Sequence, residues 1–418
     1  MQQENQRRRV VVTGLGAVCS LGLDVNELWR RLLAGHSGTC LISRFDTNDL
    51  PSKVAAEIKN FNALDYLDRK EIRRIDLSHQ YVLVAASQAF ADSELMKKGF
   101  TPERAGAIIG HQSGGITSML GQYDTYLSQG YRRLSPFLVA MMFTDMAPGL
   151  LSIKFNLKAA NYAISSACAS SANALCDAFR IIKSDEADIM VAGGTDAPIV
   201  PFAIAGFSAI RAISARNDQP EKASKPFDKD RDGFVLGEGS AVLILEELGH
   251  AQRRGARIYA EMIGYGMSAD AYHISAPDPE GSGAALAMKA ALQNAGIGPN
   301  EVDYINSHGT ATLIGDPAET KAIKKVFGDY AYRIPINASK SALGHLLGAA
   351  GAIEAVITVL SIINNKIHPT INLETPDPEC DLDYCANRLT EKEINIAISN
   401  SFGFGGHNAA IVFAKYQQ

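Results

Sequence analysis

Two distant stretches of this 418-residue chain follow one pattern: Arg9-Val-Val-Val-Thr-Gly-Leu-Gly-Ala17 and Tyr259-Ala-Glu-Met-Ile-Gly-Tyr-Gly-Met267. Each reads as an apolar strand running into spaced glycines, and further matching segments follow in the same order. Ala107-Ile-Ile-Gly-His111 corresponds to Tyr304-Ile-Asn-Ser-His308. Asn161 to Cys168, with the helical pattern after it, corresponds to Ile336 to His345 with its own. A repeated order of strands and helices predicts an α/β fold of two similar halves facing each other across a pseudo-twofold axis. Length alone suggests about two or three domains, yet no low-complexity or Pro/Ser-rich linker divides the chain. The expectation is one compact unit, with residues 1–257 as the first half and 258–418 as the second.

Such an axis sets the start of the helix after Cys168 beside the start of the helix after His345. Cys168 lies in Ile164-Ser-Ser-Ala-Cys-Ala-Ser-Ser-Ala-Asn173, a run of small residues that opens a helical pattern. A thiol at a helix N-terminus meets unsatisfied N–H groups and the positive end of the helix dipole, so the thiolate is predicted to be favoured. Taken alone, such a cysteine packs as a small hydrophobe; two histidine motifs turn the reading toward chemistry. His308 stands in Asn306-Ser-His-Gly-Thr310-Ala-Thr312, after the strand-like Val302-Asp-Tyr-Ile305. His345 stands in Lys340-Ser-Ala-Leu-Gly-His-Leu-Leu-Gly-Ala-Ala-Gly351, after a short strand from Ile334 to Ala338, and is expected to start a helix. Cysteine and both histidines thus fall where strand ends give way to loops or helices, which is where open α/β sheets bind ligands.

Other features exclude classes. A net charge of −5 argues against a general nucleic-acid binder. Cys19, Cys40, Cys168, Cys176, Cys380 and Cys385 show no C-x-x-C spacing, which fits a reducing cytoplasm. Arg7-Arg-Arg9 before the apolar Val10 to Leu23 mimics a signal peptide but lacks a small-residue cleavage site. No stretch is expected to reach the roughly 20 apolar residues of a membrane helix. Gly14-Leu-Gly16 follows a strand, but Cys19 replaces the third glycine of a dinucleotide loop. Asp228-Lys-Asp230-Arg-Asp232-Gly233 starts like a calcium loop, yet Gly239 holds its twelfth position, with Glu238 one residue early. No cofactor and no metal is expected.

Together with Val10-Val-Val-Thr-Gly-Leu-Gly16, Ala187-Asp-Ile-Met-Val-Ala-Gly-Gly194, Pro226 through Gly239, Gly344 through Ala352 and Asn400-Ser-Phe-Gly-Phe-Gly-Gly-His-Asn408, these motifs carry a resemblance over nearly the whole length. The chain resembles the β-ketoacyl-[acyl carrier protein] synthases, the type II elongating ketosynthases of the thiolase superfamily. The resemblance implies a five-layered αβαβα fold and an acyltransferase that runs a decarboxylative Claisen condensation, in fatty acid or type II polyketide or polyene synthesis. It implies Cys168 as the nucleophile that holds the acyl chain. The amides of Cys168 and Phe402 would form an oxyanion hole, and His308 and His345 would hold the enolate oxygen of a decarboxylating malonyl group. Phe402, among Gly403, Gly405 and Gly406, is the implied gate, and Phe234 a wall of the malonyl side.

Lys340, Glu354 and Asp316 match supporting charges, which act in catalysis or as an ion-pair network. Thr310 and Thr312 are expected to donate to the pantetheine arm. Ser113 stands where a branched apolar gate is usual, so it is expected to alter which acyl chains enter, and Ala169-Ser-Ser also departs from the usual helix start. The implied partner is an acidic acyl carrier protein, docking on Arg69, Lys70, Arg73, Arg74, Arg132, Arg133 and Arg211; pairing with Glu71 and Asp76 is the alternative use of the first cluster. A second subunit is also implied, either a copy of the chain or a chain-length-factor-like protein. A degradative thiolase would need a cysteine in the C-terminal glycine-rich motif, and a pure chain-length factor would lack Cys168. A ketosynthase-like subunit acting mainly as the partner of such a factor remains the alternative.

Overall fold

The structure, a computed structural model, describes residues 8–417; Arg7 of the arginine run lies outside them. Ten strands form its main sheet: β1 (Val10–Cys19), β2 (Ala105–Gly110), β3 (Asn161–Ile164), β4 (Ile189–Asp196), β5 (Gly239–Glu247), β6 (Ala260–Ala269), β7 (Tyr304–Asn306), β8 (Ile336–Asn337), β9 (Ile396–Gly403) and β10 (His407–Ala414). The principal helices are α1 (Leu77–Ser93), α2 (Ile116–Gln129), α3 (Met146–Phe155), α4 (Ser170–Lys183), α5 (Pro201–Ala209), α6 (Ser282–Ala295), α7 (Gly315–Phe327) and α8 (Ala350–Asn364).

The strand order is β3-β2-β4-β5-β1-β6-β10-β9-β7-β8. Adding five to each strand of the first half reproduces the second half in reverse, as a twofold axis between β1 and β6 requires. The two halves join there by antiparallel pairing of Val10–Val12 with Ala260–Met262. In each half the three outermost strands are parallel (β3, β2, β4 and β8, β7, β9), and the two next to the axis are antiparallel. The irregularities match too. Thr13 of β1 and Ile263 of β6 each sit at a register shift against the neighbouring strand.

Side-chain alternation builds the layers. Ala241, Leu243 and Leu245 of β5 face the central apolar layer, while Val242 and Ile244 face the outer one beneath α1. In β10, Ala409, Ile411 and Phe413 face the centre, and Ala410 and Val412 face the layer beneath α6. Strands covered on both sides must read as continuous apolar runs, which explains Ala241–Leu245 and Ala409–Phe413. Helices α4 and α8 fill the space between the two slabs, α1 and α3 cover one outer face, and α6 and α7 the other. The result is αβαβα.

The most apolar stretch, Leu347–Asn364, is long enough by length and composition to be mistaken for a membrane span, contrary to the expectation from sequence. It is the buried α8. A central helix has no polar face, since sheets meet it on both sides.

The glycines of the repeat have a packing role. A Cβ on Gly16 would lie 1.9 Å from the Ala85 carbonyl oxygen of α1, and one on Gly266 would lie 2.1 Å from that of Ala287 in α6. Gly14 and Gly264 are crowded in the same way. They let an outer helix lie directly on a strand, which is the structural content of the incomplete dinucleotide motif.

Candidate active site

The loops at the carboxyl ends of β3, β7 and β8 converge across the axis. Sγ of Cys168 and one ring nitrogen each of His308 and His345 lie within 4.8 Å of one another, all three buried. In each loop one non-glycine residue adopts the left-handed region: Ala167 (φ 50°), Ala311 (φ 64°) and Leu347 (φ 50°). Backbone held in that sparsely populated region is strained and marks positions where geometry is imposed by the surroundings. Around Cys168 the imposition is visible. The Ser170 hydroxyl donates to the Ala167 carbonyl at 2.6 Å and accepts from the Ser166 amide at 2.9 Å, and the Asn173 side chain donates to the Ser166 hydroxyl at 2.7 Å.

Cys168 precedes α4, as expected, yet its thiol is pushed up to about 11. Burial outweighs the pull of the Lys340 charge and of the amides of Phe404 and Cys168. The predicted bias toward thiolate is therefore corrected: at neutral pH the group is a thiol.

Both imidazoles are held well below their ordinary range, first by burial and then by the Lys340 cation, to which His345 adds for His308. They are neutral, so each carries one ring proton. Nδ1 of His345 accepts the Leu347 amide at 3.3 Å, which assigns the proton to Nε2, an atom buried without a partner among the described residues. Nδ1 of His308 lies 3.3 Å from the Lys340 ammonium, which assigns its proton to Nε2 likewise. The rings meet edge to face, 5.5 Å apart at 83°.

Lys340 is almost wholly buried. It donates to the His308 carbonyl at 2.6 Å and to Glu354 at 2.5 Å. Burial raises the Glu354 carboxyl to about 7 against the pull of Lys340. Asp316, after the first histidine loop, accepts the Phe227 amide at 2.7 Å and faces Arg231 at 3.7 Å, as an ion-pair network would have it, with its carboxyl raised to about 7 by burial. The carboxylate beneath the first histidine loop is Glu319, which accepts the amides of His308 and Gly309 at 2.8 Å each. It was missed because it sits inside α7, one turn beyond Asp316, where a helical glutamate usually faces solvent.

A narrow cavity opens onto the three reactive groups. Thr310, Thr312, Asp316, Phe234 and Phe402 line it. The two threonine hydroxyls lie 3.1 Å apart, and the Phe234 ring stands edge-on to His345 at 5.2 Å. Ser113 is absent from the lining; its neighbour Gln112 is present. The Ser113 amide is bound at 2.9 Å by Asp196, whose carboxylate turns the loop so that Gln112 meets the cavity.

Phe402 also departs from expectation. Its ring lies 5.8 Å from His308 and packs against the apolar layer beneath α6. The amide directed at the Cys168 sulfur is that of Phe404. Phe404 is followed by Gly405 (φ 80°) and Gly406 (φ 72°), conformations open to glycine, so the second phenylalanine of the motif sits on the turn. The amides that act on the sulfur are thus those of Phe404 and Cys168.

Arg69, Lys70, Arg73, Arg74, Arg132, Arg133 and Arg211 are all exposed, and none forms a salt bridge among the described residues, although the Lys70 and Arg74 charges are felt by Asp68. Asp76 is buried and caps α1, so it is no partner for them. The Arg74 guanidinium lies 4.9 Å from the Phe137 ring, which joins the first cluster to the segment of Arg132 and Arg133.

Comparison with known proteins agrees with this geometry. The family model "Beta-ketoacyl synthase, N-terminal domain" matches residues 7–251, and "Beta-ketoacyl synthase, C-terminal domain" matches 259–374. The chain is 49% identical to 3-oxoacyl-[acyl-carrier-protein] synthase 2 of Coxiella burnetii over 98% of this chain and 99% of that one. It is 48% identical to the protein of the same name from Synechocystis sp., over 99% of each. Among solved structures, the ishigamide ketosynthase/chain length factor superposes with a TM-score of 0.92 at 34% identity, covering 98% of this chain and 100% of that one. A ketosynthase in complex with its type II PKS acyl-carrier protein and bound to the hexaketide gives 0.91 at 35%, covering 99% and 100%. Fold, convergent cysteine and histidines, and these matches lead to one conclusion: the chain belongs to the β-ketoacyl synthase family.

Proposed function

We propose that the chain elongates acyl groups on an acyl carrier protein, with Cys168 as the acyl acceptor and His308 and His345 as the pair that holds the enolate. The observation that carries the reading is the pair of neutral imidazoles whose assigned Nε2 protons are available beside Cys168. Sγ attacks the acyl thioester, the Sγ–C bond forms, the bond to the carrier sulfur breaks, and the thiol proton leaves with the carrier thiol. Amide donors from Cys168 and Phe404 stabilise the oxyanion; loss of one such donor typically costs on the order of a hundredfold. Malonyl-carrier then binds with its thioester oxygen at the two Nε2–H groups. Carbon dioxide departs, its bonding electrons pass into the enolate, and the enolate carbon attacks the acyl carbonyl. The C–Sγ bond breaks with its electrons on Sγ, which takes up a proton from solvent to return to the thiol, and the product is two carbons longer.

A neutral imidazole suits this task because it donates without carrying a proton acidic enough to quench the carbanion. Incubation with acyl-carrier followed by intact-protein mass spectrometry tests the first step. The expected result is an acyl adduct in the wild type and none in Cys168→Ser. An unmodified wild type would overturn the reading. Since the reactive set is complete, a role mainly as partner of a chain-length factor is not favoured.

Carrier docking is assigned to the seven exposed cations, whose charge complements an acidic carrier. A second subunit is expected on the face around β3. This strand ends the sheet with one edge unpaired, and Tyr126, Leu127, Val139, Phe143 and Ile153 stand exposed, while α2 buries none of its residues. Whether a copy of the chain or a chain-length-factor-like protein fills it is decided by light scattering of the chain alone, where a dimer mass supports the first. The reading places the enzyme in the cytoplasm, where its buried free thiols stay reduced.

A further inference from the structure

Among the polar side chains of the cavity that the condensation does not use, Gln112 stands beside Cys168 on the wall it shares with Phe207, Phe234, His345 and Leu347. Its Oε1 is buried and finds no hydrogen-bond partner among the described residues. A carboxamide offers an acceptor and two donors, and leaving such a group dry and unpaired is costly. A wall built only for hydrocarbon would carry an apolar side chain here.

The group is also held in place. Asp196, wholly buried at the end of β4, accepts the amide of Gln112 at 3.3 Å and that of Ser113 at 2.9 Å. The same carboxylate accepts the amide of Gly348 at 2.7 Å, so it ties the Gln112 loop to the His345 loop. A Cβ on Gly348 would lie 2.5 Å from Asp196 Oδ2 and 2.8 Å from the Gln112 amide nitrogen, so the two loops touch. Behind Gln112 the His111 ring is buried, its Nε2 3.8 Å from Asp196, and stands edge-on to His79 at 5.6 Å. This side of the cavity therefore has a polar backing, while Phe207 and Phe234 are its apolar walls.

We propose that Gln112 is a specificity-determining residue whose Oε1 accepts a hydrogen bond from a hydroxyl on the acyl chain carried by Cys168, so that hydroxy-bearing chains are preferred over unsubstituted chains of equal length. The inference rests on Cys168 being the acyl acceptor. A chain hydroxyl supplies the donor that Oε1 lacks, whereas a plain hydrocarbon or a keto oxygen, itself an acceptor, leaves it unsatisfied, and sites of that kind reject the analogue that lacks the polar group.

The test uses the full chain and acyl carrier protein loaded with octanoyl, 3-hydroxyoctanoyl or 3-oxooctanoyl groups. Transfer to Cys168 is followed by intact mass, and kcat/KM is measured for condensation. The wild type is expected to favour 3-hydroxyoctanoyl over octanoyl by about tenfold, with 3-oxooctanoyl as the acceptor-only control. Gln112→Met, of similar length without the polar atoms, is expected to bring the ratio near one, and Gln112→Leu serves if that variant misfolds. A wild type that favours octanoyl, or a ratio unchanged in an active, folded variant, overturns the proposal. Absence of any Cys168 adduct with all three groups strikes the acyl-acceptor reading itself, and this inference falls with it.

Discussion

At the position of Cys168 two effects oppose each other, and their sizes decide. A helix dipole acting within its first turn is worth about 0.3–1 kcal/mol at an exposed site. Removing a thiolate from water in a buried pocket costs more, and the thiol rises to about 11. Alkylation by iodoacetamide in the free enzyme should be slow at pH 7 and rise roughly tenfold per pH unit toward 10. A rate already level by pH 7 would show a thiolate. The local cue in the sequence, small residues opening a helix, was readable; burial was not, because it depends on β9 and α8 from the other half. The same applies to the oxyanion donor. Asn400 through Asn408 identifies the segment, but choosing Phe404 over Phe402 requires knowing which amide reaches the sulfur. Lys340 presses both imidazoles toward neutrality. In Lys340→Met that pressure is gone, their pKa values rise, and imidazolium forms at higher pH. The acid limb of the pH–rate profile for malonyl decarboxylation should therefore move upward in the variant. An unmoved limb would separate the lysine from the histidines.

Among the elements, the repeated glycines make the clearest statement. Gly16→Ala places a methyl 1.9 Å from a backbone oxygen of α1, and backbone cannot step aside as a side chain does. Overpacking of this kind costs about 1–3 kcal/mol, read as a lower urea midpoint, and Gly266→Ala should behave alike because it meets α6 in the equivalent way. Gly99→Ala, at an open turn with nothing within 4 Å, is the control for added bulk, with its own φ of 78° as its only strain. The paired Gly-x-Gly segments were legible as a repeat from sequence alone, as was the order of strands and helices that follows each of them. Their purpose was not, since a glycine pair after a strand reads equally as a phosphate loop until the helix lying on it is seen. His345 shows the same limit: it was expected to open a helix, but Gly344 (φ 66°) interrupts after Lys340–Leu343, and α8 begins only at Ala350.

Over the whole molecule, charge is distributed against its sum. The chain carries a net −5, while seven exposed cations outside any described salt bridge occupy the segments assigned to the carrier. Attraction to an acidic carrier must therefore be short in range, and screening at about 10 Å in 0.1 M salt should weaken it steeply. Arg69→Glu with Arg73→Glu should raise the KM for acyl-carrier severalfold at low salt and lose that difference at 0.5 M, with kcat retained. Equal effects at both ionic strengths would place docking elsewhere. The palindromic order of the ten strands has a last consequence. Cys168 and His345 stand at matching addresses in the two repeats, after β3 and after β8, so on the proposed mechanism a single type of loop has been divided into a bond-making copy and a charge-holding copy. Neither copy is chemically competent by itself, and the seam that joins them is also the reaction vessel; anything that loosens the union of the repeats must silence catalysis before it melts the protein.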